Sequence, residues 1–173
     1  MFNSNYMRRK LTLKSIALLL LFGVMFGCVA INPPLKPVAI SNKQDFSRFK
    51  YFVIIPSGTL TSGTGAIYGT NGSTSSKSVN PSDLISGILT KKNFIRLSQV
   101  NPDLSTQTMI VNFGESGRRD TGLGGYTMEV TIQFVSSSKN EIISSCTAEG
   151  QGITEADDIR IAIERCLNEL MSQ

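Results

Sequence analysis

At 173 residues, 40% of them hydrophobic, the chain is long enough for one packed domain and too short for two large ones. Its formal net charge of +4 is unevenly placed: Arg8, Arg9, Lys10 and Lys14 all precede Cys28, no acidic residue does, and without those four the 17 basic side chains become 13 against 13 acidic ones. A neutral remainder argues against a nucleic-acid surface, and the absence of histidine excludes Ser-His-Asp and Cys-His catalysis together with the commonest metal ligand.

The chain opens with the basic run Met7-Arg8-Arg9-Lys10, and Ser15 to Gly27 is uncharged and dominated by Leu, Val, Phe and Met. That is the order of a secretory signal, a positive start followed by an apolar stretch. The junction Met25-Phe26-Gly27-Cys28 resembles a bacterial lipobox, where lipoprotein signal peptidase cuts before an acylated cysteine; Gly27 and Cys28 match that pattern, whereas Met25 and Phe26 depart from it. The resemblance implies a signal peptide over residues 1–27 and lipidation of Cys28. Val29 after the cysteine implies an outer-membrane address facing the periplasm. The competing reading is an uncleaved anchor, since Ser15 to Ile31 is 17 residues long, at the lower limit of the roughly 17–25 needed to cross a bilayer.

Residues 28–46 read as a lipidated tether. Pro33, Pro34 and Pro37 favour an extended spacer, although an ordinary disordered leader fits equally well. The domain is expected over 47–173. Lys50 to Pro56 reads as a buried strand, being apolar, β-branched and closed by proline. Residues 57–80 are mostly Gly, Ser, Thr and Asn and read as a flexible surface loop. Asn80-Pro81-Ser82-Asp83 starts a helix whose apolar stripe is Leu84, Ile85, Ile88 and Leu89, with Lys91 and Lys92 at its C-terminal end. Phe94 to Leu97 returns as a strand.

Thr108 to Phe113 is the next strand, joined by a Gly-rich connection, Gly114 to Gly125, to a strand from Tyr126 to Val135 in which Met128, Val130, Ile132 and Phe134 alternate with polar residues. A turn at Ser138-Lys139-Asn140 leads into Glu141 to Gly150. Thr154-Glu155-Ala156-Asp157 then opens a final helix in the manner of a capping box. The expected fold is therefore α+β, a mainly antiparallel sheet with two helices on one face, in the order β-α-β-β-β-β-α. This order over residues 47–171, behind a lipobox and ending in the Thr154 to Arg160 segment, resembles the small periplasmic lipoprotein domains of Gram-negative bacteria. Most of those have no assigned reaction, and no catalytic residue carries over from the resemblance.

Four clusters could carry chemistry. Around Lys77-Ser78 the chain approaches a phosphate-binding loop, but Asn71 and Ser76 stand where glycine is required. Arg118 and Arg119 could hold an anionic partner such as a lipid headgroup or a carboxylate; the alternative is a solvated hairpin tip whose charges neutralise one another. Glu129 and Glu149 fall on neighbouring strands, the minimum for a glycosidase, with no Trp to build a sugar cleft. Cys146 and Cys166 fall on core-facing stripes of a strand and a helix, where an oxidising compartment could join them or leave them as buried thiols. Without a CxxC spacing, redox catalysis is not expected.

These features favour a non-enzymatic envelope lipoprotein, acting as an interaction or assembly module on an envelope protein partner, with no cofactor and no metal. The alternative is a carrier of a small ligand or lipid, using space between the sheet and the 57–80 segment.

Overall fold

The computed structural model describes residues 32–41, 46–66, 73–122 and 125–172. The expected signal segment and Cys28 lie outside the described residues. No described helix is long and apolar enough to cross a membrane.

The class is α+β. Eight strands and two longer helices follow the order β1 (Val38–Ser41), β2 (Tyr51–Ile54), β3 (Leu60–Ala66), β4 (Ser73–Val79), α1 (Pro81–Lys91), β5 (Ile95–Arg96), β6 (Thr108–Gly122), β7 (Gly125–Ser136), β8 (Ile142–Gly150) and α2 (Glu155–Met171). Six strands form one sheet, in the order β1-β8-β7-β6-β2-β5, and β3 and β4 form a separate two-stranded sheet. Pairing is antiparallel from β1 to β6 and parallel where β2 meets β6 and β5. The parallel edge follows from chain order, because α1 lies between β2 and β5 and returns the chain in the same direction.

The expected order β-α-β-β-β-β-α is thus incomplete by three strands. Residues 38–41, expected within the tether, pair antiparallel with β8 from Val38 opposite Thr147 to Ser41 opposite Ser144. The segment 57–80, expected as a flexible loop, supplies the β3–β4 hairpin, paired from Leu60 opposite Val79 to Ala66 opposite Ser73. The connection expected from Gly114 to Gly125 is mostly strand: β6 runs on to Gly122, with irregularities at Glu115/Gly117 and Asp120/Gly122 where the register slips.

Local chemistry explains the elements that were anticipated. Asn80 caps α1 by accepting from the Asp83 amide at 3.3 Å, and Pro81 occupies the first turn. Thr154 caps α2 by accepting from the Asp157 amide at 3.2 Å, and its hydroxyl donates back to the Asp157 carboxylate at 3.1 Å. The turn after β7 needs a left-handed residue and has one, Asn140 at φ 57°. Met128, Val130, Ile132 and Phe134 of β7 alternate into a core with Cys146 and Ala148 of β8 and Ile159, Ile163, Cys166, Leu167 and Leu170 of α2. α2 packs on β7 and β8, and α1 on α2 and β5.

Candidate functional site

The most developed polar constellation surrounds Glu149, near the end of β8. Its side chain is only 5% exposed, and Arg119 of β6 reaches it as a fork, Nε to Oε1 at 2.8 Å and Nη2 to Oε2 at 2.7 Å. The Leu35 amide also donates to Oε2, at 2.9 Å. The hydrogen bond from Arg119, aided by the Leu35 amide and opposed by burial, holds the Glu149 carboxyl below the ordinary carboxylate range.

The remaining donors of this cluster grip the leader. Arg119 Nη2 donates to the Pro33 carbonyl at 3.0 Å, and Arg165 of α2 donates through Nη2 to the Leu35 carbonyl at 2.6 Å and through Nη1 to the Glu149 carbonyl. The Asn32 amide donates to the Thr121 carbonyl at 3.4 Å. Residues 32–37, expected as a spacer holding the domain away from its anchor, are therefore bound along the domain surface.

Arg118 and Arg119 were expected either to hold an anionic partner or to sit on a solvated hairpin tip whose charges neutralise one another. The structure places both inside β6 and divides them. Arg119 is committed to Glu149 and Pro33. Arg118 lies over the Tyr126 ring at 4.1 Å, donates through Nε to Met128 Sδ at 3.3 Å and pairs with Glu155 at 3.3 Å. Glu129 lies directly opposite Glu149 in the β7–β8 register, but it accepts from Ser116 Oγ at 2.7 Å while Glu149 is occupied by Arg119. Neither carboxylate is left bare beside a sugar-sized cleft.

Lys77, considered as a phosphate ligand, instead meets the Asp157 carboxylate at 2.9 and 3.0 Å at the start of α2. Ser62 Oγ accepts from the Ala156 amide at 2.8 Å, and Arg160 Nη2 donates to the Ser78 carbonyl at 3.2 Å. These contacts moor the β3–β4 hairpin to the first turns of α2. Lys77 and, secondly, Thr154 hold Asp157 below the ordinary carboxylate range, whereas burial pushes its neighbour Asp158 up despite the Gly152 amide on Oδ1.

Cys146 and Cys166 do come together. Both are free, buried thiols, one on β8 and one on α2; the neighbouring Cys146 thiol and burial push the Cys166 thiol up.

A half-open cavity of about 270 Å³ lies between the 57–60 segment, β6 and α2. Phe113, Val130, Ile159, Ile163, Leu60 and Pro81 give it apolar walls, and Glu115 stands among its lining residues. The space lies between the sheet and the first residues of the 57–80 segment, the region named for the carrier alternative, but the sequence did not identify its lining, because the walls come from five separate elements or connections. Among the described residues no group of three or more Cys, Asp or Glu side chains is placed to hold a metal ion.

No protein-family model matches this sequence, and no curated protein does either.

Proposed function

We propose that this chain is a lipid-anchored envelope lipoprotein, acylated at Cys28 and facing the periplasm from the outer membrane, whose domain is a non-enzymatic interaction module for an envelope protein. The observation that carries the interaction reading is β1. It is a short strand at the sheet edge, and it displays Val38 and Ile40 at 65% and 67% exposure. Two β-branched side chains on a strand that is at the sheet edge among the described residues suit a protein partner that adds backbone pairing and covers them. With a lipid tether raising effective concentration, a contact of this small size suffices for association at the membrane. In this reading both helices cover one face of the sheet, which the membership of Ile85, Leu89, Ile163 and Leu167 in a single buried cluster supports.

Photo-crosslinking residues placed at Val38 and Ile40 in the intact envelope test the reading. A discrete protein adduct at both, absent from Lys139 in the opposite turn, is expected. Equal labelling at all three positions, or none, contradicts it.

The cavity favours a second reading, a carrier of a small apolar ligand. Val130→Phe fills the space from β7. Loss of a co-purifying apolar molecule from the variant, seen by native mass spectrometry against the unaltered protein, would support that reading. An empty unaltered protein would remove it.

A further inference from the structure

We infer that the end of the domain formed by residues 32–35, the adjoining ends of β6 and β7 at Gly122 and Gly125, and the β8–α2 connection rests on the lipid surface, with Ile153 and Tyr126 entering the interfacial layer. The inference rests on acylation of Cys28 as proposed above.

Four peptide units separate Cys28 from Asn32, and at about 3.6 Å each they span no more than roughly 14 Å. Asn32 is already fixed, its amide on the Thr121 carbonyl, and Pro33 and Leu35 are held by Arg119, Glu149 and Arg165. Acylation of Cys28 would leave Asn32 on a tether of no more than that length, which favours the Thr121 end of the domain as the one turned to the bilayer.

The surroundings suit that position. Gln151 Nε2 donates to Thr121 Oγ1 at 3.4 Å, so the β8–α2 connection shares this end with the leader. Two residues beyond, Ile153 is 72% exposed, the highest value among the large apolar side chains of the described residues. Tyr126, at the start of β7, carries the Arg118 guanidinium over its ring. An aromatic ring with a cation on its face and an isoleucine beside it matches the polarity gradient of a membrane interface, where amphipathic side chains place an apolar body inward and a polar tip outward. Glu155 neutralises Arg118, so the contact is apolar and aromatic in character and should be insensitive to salt.

The opposite end gives an internal control. β7 runs from Gly125 to Ser136, and at about 3.3 Å per residue the β7–β8 turn lies roughly 36 Å away.

The acylated full-length product, reconstituted in phosphatidylethanolamine–phosphatidylglycerol vesicles, is labelled with an environment-sensitive fluorophore at Ile153→Cys or Lys139→Cys; both positions are exposed, and Cys146 and Cys166 are buried. Lipids carrying a quencher in the upper acyl chain should quench the probe at 153 at least about threefold more than that at 139, since interfacial residues penetrate only ~5–10 Å. Equal quenching, or stronger quenching at 139, overturns the orientation while leaving lipidation intact. Intact mass of the same sample separates the two claims, because a product without acyl chains defeats both.

Discussion

Arg119 and Glu149 meet as a two-pronged pair reaching across β7, and the same two side chains hold Pro33 and Leu35 of the leader. One ion pair thus ties β6 and β8, on either side of β7, to residues 33–35. Glu149→Gln keeps the volume and removes the charge, weakening three hydrogen bonds at a site nearly closed to water. A loss of about 2 kcal/mol is expected by denaturant titration, together with faster proteolysis within residues 32–37. An unchanged midpoint and an unchanged cleavage pattern would show that the leader is held by something else.

The pH dependence of stability should carry opposite contributions from neighbouring carboxyls. Glu149 and Asp157 are held below their ordinary values, so the stability they contribute is present above the unfolded values near about 4 and is lost as pH falls through the folded ones. Asp158 is pushed up, so its contribution runs the other way and is lost as pH rises from the unfolded value through the raised one. Asp158→Asn keeps an acceptor for the Gly152 amide and removes the charge. Its stability relative to the unaltered protein should therefore increase as pH rises above the unfolded value near about 4. A difference that stays flat above that value would contradict the assignment.

Gly150 lies against α2 so closely that an added Cβ would overlap the Asp158 carbonyl and stand 2.7 Å from the Ala162 amide nitrogen. Backbone on both sides leaves little room to yield, so Gly150→Ala should cost about 3 kcal/mol or more. Gly114→Ala meets nothing within 4 Å and should change stability by no more than about 0.5 kcal/mol. Comparable melting temperatures for the two variants would show that α2 seats differently on β8.

Elements with a local signal were legible in the sequence. Asn80 and Thr154 announce their helices because a cap acts within three residues, and the alternation from Met128 to Phe134 announces β7 because one face is buried. Elements stabilised from a distance were not. Val38 to Ser41 is too short for a period, and only pairing with β8, more than 100 positions on, makes it a strand. The β3–β4 hairpin is nearly all small and polar, and its moorings on Ala156, Asp157 and Arg160 lie 80 or more positions from Ser62, Lys77 and Ser78. Arg119 was visible as a fork seeking a carboxylate, but its internal partner is 30 positions away on another strand.

Cys146 and Cys166 are neighbouring free, buried thiols, and an oxidising compartment in which an external disulfide accepts the electrons is expected to join them. Protein taken from such a compartment should resist thiol labelling when denatured without reductant and accept two labels after reduction. The bond should add about 3 kcal/mol for a loop of this size. Two labels before reduction would show that the pair stays reduced.

Intact-mass analysis of the protein extracted from membranes, beside its Cys28→Ser variant, reaches the lipid-anchor claim most directly. The proposal predicts a chain beginning at Cys28 that carries the added mass of fatty acyl chains, and a variant that keeps residues 1–27 and gains no such mass. An unmodified chain beginning at Met1 in both samples would contradict it.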